Sequence, residues 1–329
     1  MRILVIGGTR FVGRHVVEAA LAAEHDLTLL HRGSGPDEPF PEAEHLHADR
    51  DGDLAVLDRR EFDATVDVSA YFPRQVRSLA SALDGRGGRY LVISSTSVYA
   101  SPDAPGFDES SRTVEPAGED VTEVTEESYG RLKVSIERAA RELFGDRATV
   151  VRPTYVIGPW DYTQRFTYWV ERLAEGGEVL APGDPGDPIQ VIDGRDMGAW
   201  IVGLLERDVP GTFHAVSPAP PFTFGLMLAD VAAAVVPAGT TLTWVDQGWL
   251  LEQGETGESL PLWGAGDPGI DANAADPAAA RATGLEPRPL RQSVLETLEH
   301  VRAEPWPARD PGAITREREA ELLAAWHAR

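Results

Sequence analysis

The chain has 329 residues, a formal net charge of −23 and no cysteine. Such a length allows one large or two modest domains, and 42% hydrophobic against 25% charged residues fits a soluble globular protein. The charge argues against nucleic acid or an anionic membrane as partner, and the missing thiols exclude disulfides and thiolate metal sites. A small anionic ligand stays admissible, because a few arginines can make a local positive pocket. The opening "MRILVIGG" is too short an apolar run for a signal peptide or a membrane span, so the expected setting is the cytoplasm.

The first half alternates short aliphatic runs with helical patterns, the rhythm of a parallel sheet with crossover helices. Strands are expected at residues 3–6, 27–30, 65–68, 90–94 and 149–151, with a weaker one at 45–48. Helices are expected at 12–23, 74–83 and 129–144. This is a doubly wound α/β fold, whose ligands sit beyond the carboxyl ends of the strands. Residues 100–127 form a long acidic loop, more often a functional flap than a connector. After Arg152 aromatics cluster and Pro/Gly punctuation becomes dense. Residues 1–154 are assigned to a nucleotide-binding domain, with 187–220 returning to it and "PIQVID" entering its sheet. Residues 155–186 and 221–329 then make a smaller C-terminal substrate-binding or lid domain, with a helix at 164–175 and a terminal helix docked by Leu322, Leu323 and Trp326.

"ILVIGGTRFVGRHVVEAAL" is a strand, a tight turn framed by Gly7 and Gly13, then a helix. A helix N-terminus offers unpaired N–H groups and a partial positive charge, which suits a pyrophosphate, and a Cβ in the turn would block close approach. An ordinary glycine-rich βα turn is the bland alternative. The placement, after the first strand and opening a helix, favours dinucleotide binding.

"GGTRFVG" resembles the "GGxGFxG" turn of the extended short-chain dehydrogenase/reductases, the NAD-dependent epimerase/dehydratase family, on a Rossmann sheet. Arg10 stands where the middle glycine usually does, as in atypical members, some of which lack catalysis. The resemblance implies cofactor contacts from Gly7, Thr9, Arg10, Phe11, Val12 and Gly13. After the second strand, His31 and Arg32 replace the acidic residue that NAD-binding chains present to the ribose. The Arg32 guanidinium, with Arg10 nearby, suits a 2′-phosphate, so NADP(H) is favoured over NAD(H); solvated surface arginines are the alternative. "HADRD" resembles the family's acidic turn after strand three, implying that Asp49 bonds the adenine with Arg50 alongside, although Asp49 also suits a plain turn. "VDVSAYF" puts Ser69, Ala70 and Tyr71 at the cofactor.

"YLVISSTSVYA" resembles the family's fifth strand and places the catalytic hydroxyl at Ser95, with Thr96 as its rival and a substrate neighbour. In "SYGRLKV", Tyr129 and Lys133 match the family's Y-x-x-x-K. Positions four apart share a helix face, so a lysine there is expected to lower a phenol from its ordinary value of about 10 toward neutrality, and to bond the nicotinamide ribose. Tyr129 would then act as general acid/base while Ser95 orients the substrate oxygen. A surface helix with an aromatic first turn is the alternative for this pair.

"VRPTYVIGPWD" resembles the family's segment after strand six, which brings Pro153 and Thr154 near the nicotinamide. Tyr155 stands where nucleotide-sugar enzymes usually carry asparagine. Tyr155, Trp160, Tyr162, Phe166 and Trp169 suit a pocket for an apolar or aromatic substrate, or else plain core. Tyr155, Trp160 and Phe166, with Thr96, are the substrate candidates. Asp196 and His214 suit structural roles better than chemical ones. The expectation is an NAD(P)-dependent oxidoreductase acting on a small molecule, without metal, as a homodimer by resemblance. An epimerase or dehydratase of a sugar or sugar nucleotide is the enzymatic alternative. A non-catalytic nucleotide- or RNA-binding relative is the alternative from another class.

Overall fold

A computed structural model describes residues 1–33, 38–100, 104–265, 273–304 and 313–329. Its strands are β1 (Arg2–Ile6), β2 (Asp26–His31), β3 (Glu44–His47), β4 (Ala64–Asp67), β5 (Arg89–Ile93), β6 (Ala148–Pro153), β7 (Tyr155–Ile157), β8 (Glu178–Pro182), β9 (Val191–Asp193), β10 (Gly211–Ala215) and β11 (Thr241–Val245). Its helices are α1 (Phe11–Ala22), α2 (Pro73–Leu83), α3 (Glu126–Phe144), α4 (Arg165–Glu175), α5 (Gly194–Glu206), α6 (Phe224–Val235), α7 (Gln247–Glu252), α8 (Ala278–Ala282), α9 (Leu290–Ala303) and α10 (Arg316–His327).

Among the described residues seven strands form one parallel sheet in the order β10-β6-β5-β4-β1-β2-β3. Successive side chains of a strand point to opposite faces, and β1 obeys this directly. Ile3 and Val5 pack with α1 and α5, whereas Leu4 and Ile6 pack with α2 and α3. Both faces are therefore covered, which is why the strands read as continuous apolar runs. A second core joins β8 and β11 to α4, α6, α9 and α10, the last docked by buried Leu322 and Leu323.

Two elements differ from the sequence expectation. α3 starts at Glu126 because Thr125 and Ser128 cap each other's backbone N–H groups and two glutamates occupy the first turn. "PIQVID" does not enter the main sheet. The free edge of β6 is taken by β10, which pairs Thr212 with Val150 and His214 with Arg152, so Val191 pairs with Tyr155 in a two-stranded sheet.

The start of the acidic loop is pinned to the sheet by buried polar groups. Glu137 of α3 accepts two hydrogen bonds from Arg152 (2.9 and 2.7 Å) and one from Ser94 (2.6 Å). Arg152 also donates to the Glu109 carbonyl (3.1 Å), while the His214 N–H donates to the Glu109 carboxylate (2.9 Å). His214 is thus structural: its ring bridges the Tyr99 hydroxyl and the Asp276 carbonyl. Removing one partner of a buried ion pair leaves the other uncompensated. Glu137→Ala is expected to destabilise the fold by about 3–5 kcal/mol in urea unfolding, and a loss under ~1 kcal/mol would contradict this account.

Candidate active site

The carboxyl ends of six adjacent strands, β6, β5, β4, β1, β2 and β3, open into one cleft of about 650 Å³. At its centre lies the glycine turn. No side chain caps α1 and no acidic residue occupies its first turn, so its unpaired N–H groups remain available where Arg10, Phe11 and Val12 line the cleft. Gly7 and Thr9 also line it. Gly13 lies behind them: a Cβ there would stand 2.1 Å from the Gly7 carbonyl oxygen, so the helix can start this close to the strand only with glycine. The cradle therefore fits a pyrophosphate.

Arg32 lines the far end of the cleft. Arg10 and Arg32 are exposed, and neither joins an ion pair among the described residues. Asp49 lines the cleft while its carboxylate accepts the Asp51 N–H (3.0 Å), the turn role admitted for it. Arg50 lines the cleft alongside Asp49. Its guanidinium also holds both oxygens of Asp67 (2.7 and 2.7 Å) and the Ser69 hydroxyl (3.0 Å). Burial alone would raise the Asp67 carboxyl, but Arg50 holds it below its ordinary range. Nothing in local pattern predicted Asp67 as a partner, although a carboxylate inside a buried strand had to find one. Ser69 and Tyr71 line the cleft, whereas Ala70 is buried and contributes its carbonyl to Lys133.

Ser95 follows β5, lines the cleft, and caps a short turn at Thr96–Val98 by accepting the Ser97 N–H (3.1 Å). Thr96 is buried and does not line the cleft. α3 lies directly on this turn, because Gly130 has no Cβ; one would stand 2.1 Å from the Ser97 carbonyl oxygen. That close approach sets Tyr129 near Ser95, whose hydroxyl favours the phenolate.

Lys133 is buried, and its ammonium donates to the Ala70 and Ile93 carbonyls, each at 3.0 Å. It sits 5.6 Å from the Tyr129 ring centre and 4.8 Å from that of Tyr71. The expected acidification of Tyr129 by Lys133 is not what the geometry produces. Burial holds the phenol above its ordinary value, with Ser95 and Arg165 pulling the other way. Burial also lowers Lys133 to about 8.

Beyond Ser95, Pro153 and Thr154 line the cleft. Tyr155, Trp160 and Phe166 do not: Phe166 is 1% exposed in the C-terminal core, and Trp160 lies 3.9 Å beneath the Arg14 guanidinium. Phe166 serves the packing of α4. From this segment Val156, Tyr162, Thr163 and Arg165 line the cleft instead. Asp161 shapes that turn by accepting both the N–H and the hydroxyl of Thr163 (2.9 and 2.6 Å). Tyr162 stood in the aromatic set of the sequence, whereas Arg165 carried no signal of its own. Asp196 binds Arg288 (2.9 Å), and the cap of α5 is Asp193.

Comparison with known proteins gives the same frame. The sequence model of the NAD dependent epimerase/dehydratase family matches residues 63–215. The chain is 27% identical over 223 residues to the Arabidopsis thaliana protein named Chloroplast stem-loop binding protein of 41 kDa b, covering 63% of this chain and 56% of that one. It is 27% identical over 206 residues to the Isoflavone reductase homolog IRL of Zea mays, covering 61% and 60%. The matches thus span less than two thirds of either relative. In fold, a human epimerase family protein solved with NADPH superposes with a TM-score of 0.66 at 20% identity, covering 91% of this chain and 99% of that one. Among the described residues no helix is long and apolar enough to cross a membrane. Residues 63–215 match the sequence model of the NAD dependent epimerase/dehydratase family, and the chain has a Rossmann-like fold similar to that of the human epimerase family protein.

Proposed function

We propose that the protein is an NADP(H)-dependent oxidoreductase that reduces a carbonyl, or oxidises an alcohol, of a small molecule. The observation that supports this best is that Ser95, Tyr129 and Lys133 line the same cleft as the glycine turn and Arg32. When bound, the nicotinamide supplies or accepts the hydride. Gly7, Thr9 and the start of α1 would hold its pyrophosphate, and Arg10 with Arg32 its 2′-phosphate. Tyr129, kept protonated by burial, holds the proton that a substrate oxygen needs as a carbonyl becomes an alcohol. Ser95 orients that oxygen. Lys133 uses two of its three hydrogens on backbone carbonyls, which leaves one for the nicotinamide ribose. Residues 155–186 and 221–329 serve as the lid, and α2 with α3 as the homodimer face.

A second reading, an epimerase or dehydratase that returns the hydride and retains its cofactor, is supported by the family's own name. The name of the Arabidopsis relative supports stem-loop binding, which the charge of −23 opposes. Net consumption of NADPH, tight cofactor retention through purification, and a gel shift at physiological salt separate the three.

Tyr129→Phe is expected to lower turnover by about 10²–10⁴-fold while NADPH binding, followed by fluorescence, stays nearly unchanged. Full activity in that variant removes Tyr129 from the mechanism. Arg32→Ala is expected to raise the KM for NADPH about tenfold and to leave that for NADH unaltered, as loss of a charge-assisted contact requires; equal effects on both sink the phosphate assignment. Lys133 carries a pH signature. Its folded-state value of about 8 lies below the ordinary 10.5, so the buried charge is a full penalty below pH 8 and is relieved as pH rises from 8 toward 10.5. Wild-type stability in urea should therefore rise relative to Lys133→Met across that window. A flat difference would show the ammonium to be unperturbed.

A further inference from the structure

Beside the cleft, whose wall includes His31, three imidazoles and a carboxylate crowd the edge of the sheet. His31 ends β2, and His45 and His47 lie two apart on β3, the edge strand. Residues two apart on a strand share a face, and the parallel register sets His31 opposite His47 and Leu29 opposite His45. His31 is buried, and its ring centre is 5.1 Å from that of each other histidine. Glu38 folds back over the three rings.

Among the described residues, one ligand atom each from His31, Glu38 and His45 lies within 4.8 Å of the other two. His31 Nε2 is 2.9 Å from His45 Nδ1. Glu38 carboxylate oxygens stand 3.9 Å from His31 Nε2 and 3.7 Å from His45 Nδ1. Ligands about 2.0–2.1 Å from a tetrahedral zinc are separated by roughly 3.4 Å, and these spacings straddle that value. His47 Nε2 contacts the same Glu38 carboxylate and supplies a fourth donor after a small adjustment. The opposite nitrogen of His45 donates to the Phe40 carbonyl (3.1 Å), which orients the ring and frees Nδ1 for a metal. Gly33 N–H donates to His31 Nδ1 (3.1 Å), which puts that ring's proton on Nε2, where a metal would displace it.

We propose that His31, Glu38, His45 and His47 bind one divalent transition-metal ion. Imidazole nitrogens with one carboxylate suit zinc, cobalt or nickel, whereas magnesium and calcium demand oxygen donors. The ion would clamp the Glu38–Phe40 segment to the edge strand, and so stiffen the wall of the cleft that carries His31 and Arg32. It takes no part in the proton transfer, and its presence does not depend on which reaction the cleft performs.

Cobalt is the probe. Untagged full-length protein, stripped with chelator and desalted, is titrated with Co²⁺ at pH 8. A visible d–d band that saturates at one equivalent and is displaced by Zn²⁺ is the expected result. Zn²⁺ should raise the melting temperature of the wild type but not of His45→Ala. The isosteric Glu38→Gln, which keeps the shape and loses the anionic ligand, should weaken Co²⁺ binding about tenfold or more. Circular dichroism and the metal-free melting temperature show whether each variant is folded. No band at a tenfold excess of Co²⁺ with the wild type folded, or equal binding by wild type and a folded His45→Ala, overturns the proposal and leaves the cluster a hydrogen-bonded network.

Discussion

A cationic amine with no water around it is tolerable only when its hydrogens are taken up by oxygen. Lys133 meets that demand with the Ala70 and Ile93 carbonyls, one just beyond β4 and one at the end of β5. The amine therefore ties α3 to two neighbouring strands at the point where the cleft opens. Gly130 makes this reach possible by letting α3 rest on the carbonyl of Ser97. Tyr129 and Ser95 are brought together as a consequence of the same contact. Chemistry and packing here share a single cause.

The other buried charges follow the same rule on either side of that point. Arg50 and Asp67 satisfy one another below the cofactor position, and Arg152 and Glu137 do so below Ser94. Each pair is buried with further hydrogen bonds, from Tyr90 (2.9 Å) in one case and Ser94 in the other. Such hydrogen-bonded networks hold strand ends in register. Against an overall charge of −23, the cleft gathers Arg10, Arg32, Lys133 and Arg165, a local positive field suited to an anionic cofactor.

Much of this was legible without coordinates wherever the cause is local. Alternating apolar runs marked the strands because both faces of a parallel sheet are buried, and the glycine turn marked the first crossover. The Tyr129/Lys133 spacing placed both on one helix. Contacts between distant segments were not legible. Arg50 lines the cleft, but its ion pair with Asp67, from the next strand, carried no local signal. Trp160 and Phe166 looked like a pocket because helix and pocket patterns are both aromatic-rich, and only packing tells which ring faces which side. Lys133 was assigned an electrostatic duty toward the phenol, whereas burial dominates both groups.

By itself the sequence determined the layered α/β architecture, the position of the glycine turn and the helical spacing of Tyr129 and Lys133, because periodicity, glycine and helical spacing act within a few residues of chain. Tertiary structure alone decided that β10 closes the sheet beside β6, that Arg165 and Tyr162 reach the cleft, and that three histidines and Glu38 converge at the far edge. Those outcomes join segments distant in sequence. They are settled by which strand edge is free and which buried charge finds a partner, and no local pattern encodes either.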